Sequence, residues 1–218
     1  ESGTGNYTLT ISPQSNEMKI ISGSSETGLI KITGCSRVVI NGQFSNNEYN
    51  LTFRNSNSNA PVFYFSEGSQ ANILHYLIIE SASNNIDNAA IKFGLGNNSR
   101  NTILNCQIGD IEGSASTPGQ GILLSGAGNN EIEIKDNSFR NFGTAAIVLS
   151  GGCSNTLIEG NEIYMNKPST IAGVYGIHLR NSKLTKVFRN NIHDLDGSYS
   201  VHGIYYEGSS GVISEIRA

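Results

Sequence analysis

The chain has 218 residues, a formal net charge of −4 at pH 7, 37% hydrophobic but only 15% charged residues, 25 glycines and no tryptophan. About a quarter of an average globular chain is charged, so this one exposes mainly amides and hydroxyls, the surface of a secreted or cell-surface β-protein. It has neither the Lys/Arg cluster of a nucleic-acid binder nor an apolar run near the roughly 18 residues of a membrane span.

Taken in order, YTLTI and MKII, within residues 1–28, read as an opening rung or cap. Seven related units follow: LIKITGCSRVVINGQF from Leu29, VFYFSEGSQANILHYLI from Val62, AIKFGLGNNSRNTILNCQI from Ala90, GILLSGAGNNEIEIKDNSF from Gly121, AIVLSGGCSNTLIEGNEI from Ala146, GIHLRNSKLTKVFRNNI from Gly176 and GIYYEGSSGVISEI from Gly203. Self-similarity at a period of 20 to 50 residues marks a solenoid, whose repeats bury their apolar faces only by stacking.

Each unit opens on an apolar pair spaced by two: Ile30/Ile32, Phe63/Phe65, Ile91/Phe93, Ile122/Leu124, Ile147/Leu149, Ile177/Leu179 and Ile204/Tyr206. That spacing puts both members on one face of a strand. A second column (Val39, Ile73, Ile103, Ile134, Ile158, Val187) and a third (Phe44, Ile78, Ile108, Phe139, Ile163, Ile192) complete three short strands per turn. The prediction is all-β: a single-stranded parallel β-helix with three parallel sheets and about seven rungs, one domain over residues 1–218. Between the second and third columns, Asn137, Asn161 and Asn190 occupy the same point of successive rungs, where stacked amides can satisfy a corner's backbone groups. Gly42, Tyr76 and Cys106 stand there earlier.

Of the three cysteines, Cys35 and Cys153 fall at one turn four rungs apart, about 19 Å at 4.8 Å per strand and beyond the roughly 7 Å limit for a disulfide. Cys106 points inward. No disulfide and no zinc site is expected.

The GI-L … N-I-NxI units resemble the repeats of the right-handed, pectin-lyase-like parallel β-helix superfamily. More narrowly, VVINGQF, NLTFRN and the Asn-rich rungs look like β-helix segments of long, secreted, adhesin-like bacterial surface proteins. The resemblance implies a right-handed coil. Beginning at Glu1 without Met, and ending near Ala218 without a polar cap, the chain reads as a segment of a longer polypeptide with flanking domains.

From first to third column, the units beginning at Ile91, Ile122, Ile147 and Ile177 span 15 to 17 positions, whereas the return to the next first column varies from 8 to 19. Insertions are therefore expected at one corner, before the first sheet, the side on which a solenoid usually binds. The outward residues of that sheet are Lys31, Tyr64, Lys92, Leu123, Val148, His178 and Tyr205, then Thr33, Ser66, Ser125, Ser150, Arg180 and Glu207. Chemistry gathers at its C-terminal end. His178, Arg180, Tyr205 and Glu207 fall on adjacent rungs, with Tyr175, His193, Asp194, Asp196, Tyr199 and His202 expected in the flanking loops, of which 166–175 and 194–202 could wall a groove.

Two functions compete for these residues. The first is a stalk or glycan-binding module, since sugars are recognised by aromatic faces with a few fixed polar groups; Tyr205, Tyr175, His178, His202, Arg180 and Glu207 supply both. The alternative, implied by the superfamily, is a polysaccharide lyase or glycoside hydrolase acting on an acidic polysaccharide such as a pectin-like or alginate-like uronan. A lyase needs a base and a cation beside the carboxylate, for which His178 and Arg180 are candidates. A hydrolase needs carboxylates about 5 to 9.5 Å apart, and Glu207 with Asp194 or Asp196 is the candidate set. The superfamily's paired-Asp, Gly-His-Gly and Asp-rich calcium motifs are missing. No cofactor is expected, and calcium has no motif behind it.

Overall fold

The computed structural model describes residues 7–45, 48–208 and 215–217. Among them there is no helix, and every strand pairing is parallel. The first sheet takes Ile30–Thr33, Phe63–Ser66, Ala89–Phe93, Gln120–Ser125, Ala145–Ser150, Gly173–Arg180 and Ser200–Glu207. The second takes Leu9–Ile11, Val38–Asn41, Ile73–His75, Thr102–Leu104, Glu133–Lys135, Leu157–Glu159, Lys186–Phe188 and Glu215–Arg217. The third takes Lys19–Gly23, Leu51–Asn55, Ile78–Ser81, Gln107–Gly109, Ser138–Arg140, Glu162–Tyr164 and Asn191–Ile192. The chain visits the sheets in rotation, one strand of each per turn, forming a right-handed parallel β-helix of about seven coils. YTLTI and MKII supply the first strands of the second and third sheets; the segment 209–214 and Ala218, on which part of the last unit falls, lie outside the described residues.

The first-sheet pairs stack in the expected register, Ile30 on Phe63, Phe63 on Ile91, Ile91 on Ile122, and so on to Ile177 on Ile204. Inside lies a continuous core in which Phe65 stacks on Phe93 at 4.4 Å and Phe53 meets Phe63 edge-on at 4.9 Å. Each such ring contributes about 1.5 to 3 kcal/mol by leaving water. Tyr206, expected inward, is 40% exposed.

The early coils depart from the expected register. In the second sheet Val39 pairs with Ile73, but the buried neighbours are Ile40 and Leu74, and Leu74 is the one aligned with Ile103. In the third sheet Ile79, aligned with Phe53 and Ile108, replaces Ile78. A one-residue slip exchanges the faces of a strand, and consecutive apolar residues in VVI and LII give the two-residue period nothing to choose between. Phe44 is 50% exposed, and Phe53 fills its expected place. Residues 42–50 are inserted between second and third strands, so the first coil does not carry its insertion at the corner before the first sheet.

An Asn ladder runs between the second and third sheets. Asn137 Nδ2 donates to Asn161 Oδ1 at 3.0 Å and Asn161 Nδ2 to Asn190 Oδ1 at 2.8 Å, while Oδ1 of Asn161 and of Asn190 also accepts the backbone N–H of the amide below. Its earlier occupants are Leu51, Leu77 and Cys106, in place of Gly42 and Tyr76. From Leu77 onward the corner is made by one left-handed residue just before the ladder, Tyr76, Asn105, Asp136, Gly160 and Arg189, with φ from 50° to 68°. Asn72–Asn101 and Asn98–Asn129 pairs do the same work at the turn between first and second sheets. All three cysteines are free, and Cys106 is buried.

Candidate ligand-binding face

The strands Gly173–Arg180 and Ser200–Glu207 are the first sheet's longest, paired from Gly173 with Ser200 to Arg180 with Glu207. The turns before them are tied by a bridge from Ser169 to Gly197. Gly176 permits close stacking of the two coils, because a Cβ there would stand 2.5 Å from Gly203 O and 2.7 Å from Ile192 Cγ2. Tyr175 and His202, expected in loops, therefore lie within strands.

Tyr175 and His202 form one outward row, His178 and Tyr205 the next, and Arg180 and Glu207 a third; Gly176 and Ile177 are both buried, so the strict alternation is interrupted between the first row and the second. The first four rings pack together. Tyr175 lies 4.5 Å from His178, 5.4 Å from His202 and 5.3 Å from Tyr205; His178 lies 5.1 Å and His202 5.0 Å from Tyr205. Such contacts contribute about 0.5 to 1.5 kcal/mol each beyond burial, so the rings hold one another in place. Tyr175 also leans on an outer apolar patch of Ala89, Leu123, Ala145 and Val148. Leu123 and Val148 point outward as expected but are covered, only 6% and 4% exposed.

Beyond the rings, Arg180 Nε lies 3.3 Å from Glu207 Oε2, both side chains about half exposed. His178 Nε2 stands 3.5 Å from the same oxygen, and the side chain is 13% exposed. Burial holds the His178 pKa below the ordinary imidazole range, Glu207 opposes that, and Arg180 and His202 add to it. His178 thus takes its charge only at a more acidic pH than the ordinary 6.5.

The remaining candidates are elsewhere. His193 Nδ1 contacts Asp194 Oδ2 at 2.8 Å and Nε2 lies 3.6 Å from Glu162, with the ring stacked on Tyr164 of the third sheet at 5.5 Å. Asp194 is thus engaged with the third sheet, whereas Glu207 pairs with His178 and Arg180. Asp196 accepts at its backbone carbonyl from Ser169 N. Among the described residues, no three His, Cys, Asp or Glu side chains converge to hold a metal ion.

Two features were not foreseen. A cleft of about 270 Å³ runs between residues 115–117 and 167–171 over Gly143, with Asn84 at its side. It exists because the turn from Phe139 to Ile147 is the shortest of its series and lies between longer ones, a difference visible in the loop lengths. On the outer third sheet, Glu80 pairs with Arg54 at 2.7 Å and Arg140 at 3.5 Å, and Asp110 with Arg140 at 3.4 Å and with Lys167. Both carboxylates are buried, 5% and 1% exposed.

No protein-family model matches the chain, and no curated protein matches it significantly. Two solved structures of PfbA, a surface adhesin of Streptococcus pneumoniae, are similar. One aligns over 91% of this chain and 66% of that chain, with 11% identity and a TM-score of 0.39. The other aligns over 95% of this chain and 85% of that chain, with 12% identity and a TM-score of 0.33.

Proposed function

We propose that the chain is a rigid β-helix module of an extracellular or cell-surface protein, and that it binds a glycan on the last two coils of the first sheet. The observation behind this is the cluster of Tyr175, His178, His202 and Tyr205, pre-packed rings whose order is established before a ligand arrives. A pyranose stacks its C–H face on such rings, and rigid anchors lower the entropy cost of binding. With His178 held neutral and Arg180 paired to Glu207, the face suits a neutral, hydroxyl-rich glycan better than an acidic one.

The test is retention of the protein on a panel of neutral and uronic-acid polysaccharides in affinity electrophoresis. Arg180→Ala with Tyr205→Ala should lose retention, and Lys31→Ala with Tyr64→Ala at the opposite end should keep it. Retention of a neutral glycan should be insensitive to salt, since surface charge attraction is what salt screens. Wild-type retention by the first variant, with loss in the second, would place the site at the wrong end. Release of unsaturated or reducing products from the same panel would favour the lyase or hydrolase alternative.

A further inference from the structure

Away from the rings, three buried or half-buried side chains hold the parts of an acyl-transfer reaction. Asp110 accepts a hydrogen bond at Oδ2 from Lys167 Nζ, and at Oδ1 from Asn141 Nδ2 at 3.1 Å. Asn141 is 2% exposed. Its Oδ1 accepts two backbone N–H bonds, from Asn166 at 2.9 Å and Lys167 at 3.2 Å. An amine, a carboxylate touching both that amine and an amide nitrogen, and two donors on the amide oxygen correspond to nucleophile, proton shuttle and oxyanion hole.

We propose that Lys167 and Asn141 join in an intramolecular amide bond, with Asp110 moving the protons. Asp110 takes a proton from the Lys167 ammonium, and the freed Nζ lone pair attacks Asn141 Cγ. The carbonyl π electrons move to Oδ1, where the N–H groups of Asn166 and Lys167 stabilise the negative charge. On collapse the Cγ–Nδ2 bond breaks, and Asp110 delivers its proton to the departing nitrogen. The second proton shed by Nζ leaves with the ammonia as ammonium. One C–N bond forms and one breaks, nothing is oxidised or reduced, and no co-reactant is needed.

Further contacts hold the amine and the carboxylate in place. Ser114 O accepts a second bond from Nζ at 3.0 Å, fixing the amine beside Asp110, and Arg140 Nε at 3.4 Å anchors the carboxylate from the other side. Asp110 is hydrogen-bonded to both groups, and groups held near one another gain orders of magnitude in effective concentration. Asn141 follows the strand Ser138–Arg140 and Lys167 follows Glu162–Tyr164 on the next coil, so the bond would close one coil covalently. It would also stiffen the segment leading into Gly173–Arg180, which carries Tyr175 and His178. The inference does not depend on what that face binds.

Intact mass spectrometry of the purified chain tests it. The wild type should be lighter than its sequence by one ammonia. Trypsin cuts after Arg140 and Arg180, and a glutamate-specific protease then cuts at Glu159 and Glu162; a branched peptide joining 141–159 to 163–180 should result. Lys167→Arg, which keeps a cation beside Asp110, and Asp110→Asn should both show full mass and separate peptides, with the β circular dichroism of the wild type in those that fold. Full mass in the wild type, with Lys167 open to an amine-reactive label, overturns the proposal. So does loss of ammonia that persists in Lys167→Arg, which would belong to another site such as Asn41–Gly42. The wild-type peptide map decides the question even should either variant fail to fold.

Discussion

On the outer third sheet the carboxylates are buried and paired with cations only about one-third exposed; on the outer first sheet the rings touch but Arg180, Glu207 and His202 remain in solvent. The third-sheet network runs through Arg54, Glu80, Arg140, Asp110 and Lys167, reaching from one coil to the corner of another. Both faces stand on the same backbone and the same core, so the contrast comes from side chains alone. Buried, mutually satisfied charge holds the coil's shape. Exposed rings are available to a partner.

That division can be broken first at its common base. Ile158→Asp places an unpaired carboxylate in the core, where Ile158 is wholly buried, and should cost several kcal/mol, enough to unfold a domain of ordinary stability. Glu159→Ala, one residue later, should melt within about 1 kcal/mol of wild type, the usual limit for an exposed pair such as Glu159–Arg189. Equal shifts for the two would mean the strand register is wrong.

Next in size is Glu80→Ala, which strips Arg54 and Arg140 of a buried partner. Losing one side of a buried pair costs about 3 to 5 kcal/mol; with both arginines about one-third exposed, the lower end is expected, read as a fall in denaturation midpoint. Gly109→Ala should act on the same network, because a Cβ there would stand 2.5 Å from Arg140 Cγ and 2.6 Å from Arg140 O. A loss of about 1 to 3 kcal/mol is expected from overpacking. Tyr205→Ala on the first sheet should cost less than Glu80→Ala, about 1.5 kcal/mol, the lower end for the three ring contacts of a half-buried side chain, while removing glycan retention. Should Tyr205→Ala destabilise as much as Glu80→Ala, the first-sheet rings are structural.

The sequence carried the coil and the first-sheet register because pairs such as Ile30/Ile32 and Ile91/Phe93 alternate with polar residues. It misplaced Val39, Ile73 and Ile78, since each has an apolar neighbour of equal claim, and Phe44, since an insertion separates it from the third strand. His178, Arg180, Tyr205 and Glu207 were legible because strand alternation on adjacent rungs forces neighbours together. Tyr175 and His202 were recognised as nearby but assigned to loops, for strand length depends on cross-coil pairing that a single unit does not encode. The Glu80–Asp110 network was missed because Arg140 reaches both carboxylates across Gly109, and a side chain's reach is not a periodicity.

The smallest effect separates the faces by pH. The His178 pKa is lowered by burial, so unfolding lets the ring bind a proton more readily, and stability should fall as pH drops from about 6.5 through its folded value. For His193 the direction is reversed. Its bond to Asp194, with Glu162 adding, raises the pKa, so its contribution is complete below the ordinary range and is lost as pH rises through the folded value. His75 is lowered by burial as well, so the total stability profile mixes two sites of one sign with one of the other, and site-resolved NMR titration of the imidazole protons is the appropriate measurement. His178 should titrate below an unstructured reference peptide and His193 above it. Glu207→Gln should lower His178 further, because the opposing charge is removed, and leave His193 where it was. A His178 midpoint at or above the reference would mean that the ring is solvated and positively charged near neutrality, and the first-sheet face would then suit an acidic glycan after all.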